Sequence, residues 1–349
     1  MMKYGWLVVM VLWWAEATEA QHVQRVGAEV QYGFIIPHAS DLKAFSDRRP
    51  AALHLSWQMM NAGKEHWEVC NCFHYLGARF SITDFGDAQV LGRAYTLAGT
   101  FEPLLWRTQD YSVNLPAGTG ITYLSRVYDE QDNPENRFFS SPLSFLLFVA
   151  PTLEMRFSSS FSGNISFNYN HISNGGQKKP NRGMNFPQVG LGVNYVFRDQ
   201  PLPDYEKQKP AKGWWYWIEA GITRRNVAQR TQQKPWVSVV AGAGRIVTAI
   251  NGLSIGVEAG RDYSLQKDDG SFGKTISAPF VGHHFRLGRV DFSQRMALYI
   301  HRPEELFAHT FYQRYQLFVE VGNGWQAGVS LTAHAHVARN LDLRVGYVF

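Results

Sequence analysis

Apolar and polar residues alternate with a period of two along almost the whole chain, and helical spacing is hard to find anywhere after the first twenty residues. Leu53, Leu55, Trp57 and Met59 oppose His54, Ser56 and Gln58, and Leu253, Ile255, Val257 and Ala259 oppose Ser254, Gly256 and Glu258. Asn-Gly pairs at 251–252 and 323–324 fall between alternating runs, the strongest short-range signal for a hairpin turn. The runs span ten to sixteen residues. Strands of a soluble sandwich are shorter, whereas a tilted strand crossing a bilayer needs about nine to eleven residues.

The amino terminus points to export. Met1-Met2-Lys3 precedes an apolar run from Tyr4 to Ala15, followed by Ala17-Thr18-Glu19-Ala20 with small residues where a signal peptidase reads. The run is about half of what a membrane-spanning helix requires, so residues 1–20 read as a signal peptide cleaved before Gln21. Losing Lys3, Glu16 and Glu19 with it raises the formal charge from +5 to +6, a mild excess. No phosphate-cradling loop or basic helix accompanies that charge, so nucleic acid is not an expected partner. Only two cysteines occur, Cys70 and Cys72. On a strand they would sit roughly 6.6 Å apart, at the edge of disulfide geometry, so free thiols are expected. His283 and His284 are adjacent and, on a strand, would face opposite sides, which argues against joint metal ligation.

Sixteen alternating segments can be counted between residues 24 and 349, seven of them up to Ser173. Aromatic residues make up 14% of the chain and cluster at segment ends, as in Trp214-Trp215-Tyr216-Trp217 and Phe138-Phe139, where an interfacial girdle would lie. The chain ends Leu341, Leu343, Val345, Tyr347, Phe349 on one face, an ending that resembles the signal read by the barrel assembly machinery. The expected fold is all-β, an antiparallel transmembrane β-barrel of about 14–16 strands, with residues 21–349 as one barrel domain in the outer membrane of a Gram-negative bacterium. If Ser173 ends an odd strand, the following loop from Asn174 to Asn185 is extracellular, at the level of the lipopolysaccharide-rich outer leaflet.

The segment from Ile165 to Gly176 carries chemistry. Ile165, Phe167, Tyr169, His171 and Ser173 share one face, and Asn164, Ser166, Asn168 and Asn170 share the other. A base and a hydroxyl therefore stand at the end of a greasy face, as a lipid-facing esterase would need. The run His171-Ile172-Ser173-Asn174-Gly175-Gly176, followed by Lys179-Pro180-Asn181-Arg182-Gly183-Met184-Asn185, resembles the signature of the lipid A 3-O-deacylase family of outer-membrane enzymes. The resemblance is strongest over residues 112–198, including Gly118 to Tyr123 and Asn136; the carboxyl third, with Gly282-His283 and Ala333-His334-Ala335, resembles the longer acyloxyacyl hydrolases of Bacteroidetes.

That resemblance implies a serine hydrolase acting on lipid A or a related outer-leaflet lipid, without metal or cofactor. Ser173 would be the nucleophile, His171 the general base and Asn181 an oxyanion-stabilising donor. Known members carry a glutamate twelve residues after the serine; this chain has Asn185, which can orient an imidazole but cannot stabilise its cation by charge. Lys178, Lys179 and Arg182 are candidate phosphate ligands, with Asn174 a second donor or a turn former. The alternative is a non-catalytic barrel, structural or pore-forming, that keeps the motif as architecture. The two differ in whether His171 and Ser173 face the wall and lie within hydrogen-bond reach.

Overall fold

The computed structural model describes residues 22–175, 178–197, 201–207, 213–227, 233–266, 270–306, 308–334 and 337–349. The expected signal peptide lies outside the described residues. Eighteen strands in chain order run β1 (His22–Gly33), β2 (Ala51–Asn61), β3 (His74–Asp84), β4 (Arg93–Arg107), β5 (Tyr111–Asn114), β6 (Ala117–Leu124), β7 (Leu143–Val149), β8 (Thr152–Arg156), β9 (Phe161–Ser173) and β10 (Met184–Val196), then β11 (Trp214–Asn226), β12 (Gln233–Ile246), β13 (Asn251–Gln266), β14 (Phe272–Leu287), β15 (Val290–Leu298), β16 (Phe311–Gly322), β17 (Trp325–His334) and β18 (Val337–Val348). Pro116 and Pro151, which cannot donate to a ladder, interrupt two spans and divide them into β5/β6 and β7/β8. β4 pairs with both β5 and β6, and β9 with both β7 and β8, so each pair acts as one membrane strand. The sixteen alternating segments thus become sixteen spans.

The all-β antiparallel barrel is what the chain forms, but its closure differs from a single large ring. β10 turns back to pair with β1 from Arg25↔Val196 to Gly33↔Gln188, and β18 pairs with β11, so the spans close as two rings of eight. Backbone groups in lipid need partners, and either closure supplies them; periodicity alone cannot say where a ring shuts. The consequence for function is large. An eight-stranded ring is just wide enough for its own side chains, so the aqueous channel of a sixteen-stranded ring has no counterpart here.

Both lumens are occupied by charge pairs. In the first ring Arg25 bridges Glu102 at 2.6 Å and Glu154 at 2.9 Å, with Gln58 and Asn114 filling the remaining acceptors. In the second, Arg314 joins Glu258 at 2.6 Å to Asp342 at 2.8 Å, and Arg295 lies across Glu219 at 2.7 Å. Outward positions are apolar and exposed, among them Leu53, Leu55, Ile165, Phe167, Leu253 and Val345. At the long-loop end of the first ring an apolar plug of Ile35, Leu42, Phe45, Phe85, Phe138, Phe139, Ile172 and Met184 takes over from the polar lumen.

Several local expectations are corrected. Phe138 and Phe139 are fully buried in that plug rather than in a girdle. Trp214 and Tyr216 face outward as a girdle would, but Trp215 and Trp217 point inward and stack at 6.0 Å, as period two requires. Cys70 and Cys72 lie in a turn after a short helix, α1 (Lys64–Glu68), not on a strand; their Cα atoms are 5.1 Å apart and they form a disulfide. Asn323 and Gly324 have φ of 51° and 79°, the two positive angles of a tight hairpin. Asn251 and Gly252 instead begin β13, where a side chain at 252 would meet the Trp215 ring at 2.5 Å.

Replacing Arg314 with Ala leaves Glu258 and Asp342 without their shared cation inside the second ring. It is expected to destabilise that ring by about 3–5 kcal/mol, read as a lowered urea midpoint in vesicles, while Arg314→Lys loses less.

Candidate active site

Inward packing sets the orientation of the site. Ile172 and Met184 face each other across β9 and β10 and are buried in the apolar plug, so their neighbours His171, Ser173 and Asn185 must turn to the wall side. His171 pairs with Leu147 on β7 and with Asn185 on β10, and Ser173 pairs with Phe145. The wall-side placement expected for His171 and Ser173 is therefore what the strands produce. It lies at the end of the first ring that carries the long connections at 34–50, 85–92, 125–142 and 174–183, the extracellular end by the usual asymmetry of such barrels.

The direct cross-strand pairing brings His171 Nδ1 to 2.7 Å from Asn185 Oδ1. The amide carbonyl can only accept, so this contact assigns the Nδ1 proton and leaves Nε2 as the basic nitrogen. The backbone of Asn185 is held as well, its main-chain carbonyl oxygen accepting from the backbone N–H of Ile36 at 2.9 Å. Gly183 has φ of +69°, and an added Cβ there would approach His171 Cε1 at 2.9 Å; any side chain at this position would push on the imidazole.

Ser173 Oγ accepts hydrogen bonds from Asn181 Nδ2 at 2.9 Å and from the backbone N–H of Gly175 at 3.2 Å. No hydrogen bond joins it to His171 among the described residues, so the direct His–Ser contact that the spacing suggested is not made in this state. The serine is held instead through its oxygen, as an acceptor. Asn181 is fixed in turn by the Asn174 backbone N–H, which donates to its Oδ1 at 3.4 Å.

The loop that carries these donors is tied down by buried polar groups. Asn174 is almost fully buried; its amide donates to Ser140 Oγ at 3.0 Å and to the Lys178 carbonyl at 2.9 Å, and Ser140 donates to the same carbonyl at 2.7 Å. Asn174 therefore faces the loop interior, not the surface where a substrate would lie. The backbone N–H groups of Arg182 and Gly183 donate to the carbonyls of Arg137 and Phe138 at 3.0 and 3.1 Å. Lys178 and Lys179 are exposed, whereas the guanidinium of Arg182 is already paired with Asp41 at 3.2 Å. Lys178 also reaches the neighbouring loop, where the backbone N–H groups of Asp132 and Gln131, and then this ammonium, hold the Asp129 carboxyl below the usual carboxylate range.

Two participants carried no sequence signal. Ser140 lies in an unremarkable Ser-Ser-Pro turn, and His38, whose Nε2 sits 3.0 Å from the Arg182 carbonyl, follows a proline in a loop. On the outer side of the serine loop, a Cβ added at Gly175 would lie 3.1 Å from Leu341 Cβ, so the wall of the second ring borders the loop.

Comparison with known proteins accounts for both rings. Residues 51–194 match the family described as lipid A 3-O-deacylase (PagL), and residues 214–349 match the acyloxyacyl hydrolase C-terminal domain. No curated protein sequence matches the chain. Among solved structures, the outer membrane enzyme PagL is 15% identical, covering 48% of this chain and 97% of its own, with a TM-score of 0.34. An engineered porin of Rh. blastica is 10% identical over 94% of this chain and 100% of its own, with a TM-score of 0.21. A mutant of the TodX monoaromatic hydrocarbon channel is 7% identical over 94% and 89%, with a TM-score of 0.19. These structural likenesses are too remote to bear on chemistry; with the two matched regions spanning most of the sequence, the chain belongs to the lipid A 3-O-deacylase family and is an outer-membrane β-barrel protein.

Proposed function

We propose that the protein is an outer-membrane serine esterase that removes an ester-linked acyl chain from lipid A or a related outer-leaflet lipid. The observation that carries this reading is the juxtaposition, on the outward face of one strand end, of an imidazole held through Nδ1 by Asn185 and a buried serine hydroxyl held by two N–H donors. A serine alone is a weak nucleophile at neutral pH, and His171 supplies the base through Nε2, the nitrogen not engaged by Asn185. Same-face neighbours on a strand lie roughly 6.6 Å apart, a gap that rotation of Ser173 about its Cα–Cβ bond narrows when substrate displaces the resting contacts.

In the reaction, Ser173 Oγ bonds to the ester carbonyl carbon as its proton passes to His171. The carbonyl oxygen gains charge and is met by Asn181 Nδ2 and the Gly175 N–H, the donors that hold the hydroxyl at rest. The bond to the sugar oxygen then breaks, His171 returns the proton to that oxygen, and water releases the acyl group from Ser173. No metal or cofactor enters these steps. Asn185 fixes the tautomer of His171 but offers no charge to the imidazolium, so the chemistry is slower than with a carboxylate. Lys178 and Lys179 stand where phosphate groups of lipid A would lie, and Arg182 could join them only by leaving Asp41. Asn174 serves the loop.

The pore alternative has no lumen to use, and a purely structural barrel remains the competing reading. Mass spectrometry of lipid A and phospholipids from cells expressing the wild type and Ser173→Ala decides between them: loss of one acyl chain only in the wild type is expected, and identical lipids from equally abundant folded proteins would reject the esterase. Asn181→Ala is expected to slow deacylation by about 10²–10³. Asn185→Glu should raise the rate roughly tenfold, by replacing a neutral hydrogen bond to the imidazolium with a charged one.

A further inference from the structure

The second ring contains a hydrogen-bonded chain of the same chemical kind at its opposite end. His284 Nδ1 lies 2.9 Å and 3.1 Å from the two carboxylate oxygens of Asp291, and its Nε2 lies 3.0 Å from Ser254 Oγ. The three residues come from adjacent strands β13, β14 and β15. Ser254 is opposite Gly282 and His284 opposite Ser293, while Asp291 is opposite Arg286, so each contact is a diagonal step on the inner face. They sit within four residues of the short turns at 247–250 and 288–289, the periplasmic mouth of the ring.

Residues around the chain favour an activated serine over a filler of the lumen. A Cβ at position 282 would lie 2.6 Å from Ser254 Oγ, so the glycine keeps that hydroxyl clear. The stacked rings of Trp215 and Trp217 both meet the imidazole in T-shaped contacts, at ring separations of 5.4 and 5.5 Å. The indole N–H of Trp217 is buried without a hydrogen-bond partner among the described residues, a donor next to the imidazole that a developing oxyanion could use. The first ring offers the contrast: His54 Nδ1 meets Ser81 Oγ at 2.6 Å in its lumen, but among the described residues His54 Nε2 has no partner and no acid completes the chain.

We propose that Ser254, His284 and Asp291 form a second serine nucleophile, distinct from Ser173, that reacts with small acyl or phosphoryl electrophiles such as short-chain carboxylic esters entering from the periplasm. Size follows from the surroundings. Arg286 lies one step nearer the periplasmic turn, its guanidinium 5.0 Å from the Trp215 indole and 3.7 Å from the Asp291 carboxylate, and the Arg295–Glu219 pair fills the lumen beyond. A long acyl chain has no room. Ser254 Oγ bonds to the carbonyl carbon while its proton moves to His284 Nε2; the bond to the leaving alcohol oxygen breaks and that oxygen takes the proton; water then hydrolyses the acyl-serine.

The test treats folded full-length protein in vesicles with diisopropyl fluorophosphate, whose P–F bond breaks as the serine oxygen is phosphorylated, and locates the adduct by peptide mass spectrometry. Folding is checked by the mobility of unheated protein on gels. In Ser173→Ala protein the adduct is expected on Ser254, forming faster when Arg286→Ala opens the mouth and about 10²-fold slower in His284→Gln. Absence of a Ser254 adduct in both the folded Ser173→Ala protein and its Arg286→Ala derivative overturns the proposal, as does an adduct whose rate ignores His284→Gln. Labelling of Ser173 in the wild type is read separately, so neither site's failure is mistaken for the other's.

Discussion

Backbone N–H and C=O groups inside a bilayer must all be paired within the protein, and the rest of this structure depends on how that is done. Sixteen spans could have closed once. They close twice, because β10 returns to β1 before the second set of strands begins. Ring size then fixes the interior. Eight strands leave room for side chains only, and in both lumens these include arginine–carboxylate pairs such as Arg25–Glu102 and Arg314–Glu258, whose members would be costly to bury singly.

Closure also separates two chemical environments on the same strands. Along β9 the inward residues pass from Ser166, Asn168 and Asn170 to Ile172, as the polar lumen gives way to the apolar plug under the long loops. The plug takes up Ile172, and with it buried the strand turns His171 and Ser173 to the wall side. Asn185 reaches His171 because β10 is in register with β9, and Asn181 reaches Ser173 because the loop between them is tied by Asn174 and Ser140. The result is a site whose polar members are each fixed by a partner from a different segment.

Much of the fold was legible. Period two in long segments leaves little but a membrane barrel, and Asn323-Gly324 marked its hairpin correctly. The errors have common causes. Alternation runs on through the short helix and turn that hold Cys70 and Cys72; an aromatic pair such as Phe138-Phe139 reads the same in a buried loop as in a girdle, and the clustering of Trp214 to Trp217 does not say which face of a strand is wet. At the site, the wall-side placement of His171 and Ser173 followed from parity, and so did the position of Asn185. The resting contacts of Ser173 did not, since they depend on the path of a loop. The Ser254–His284–Asp291 chain is invisible for a related reason: alternation puts His283 and His284 on opposite faces but names no partner for either, and only pairing of three strands brings His284 to Ser254 and Asp291.

By itself, the sequence determined the antiparallel alternating segments, which residues share a face within each, and where a base and a hydroxyl stand together on one face, because all of these follow from a local period of two and from side-chain type. Tertiary structure alone decided that the strands close as two rings of eight, that the lumens are filled, and that Ser173 rests on Asn181 rather than on His171. Those outcomes turn on which distant backbone groups meet, and a local pattern holds no information about that.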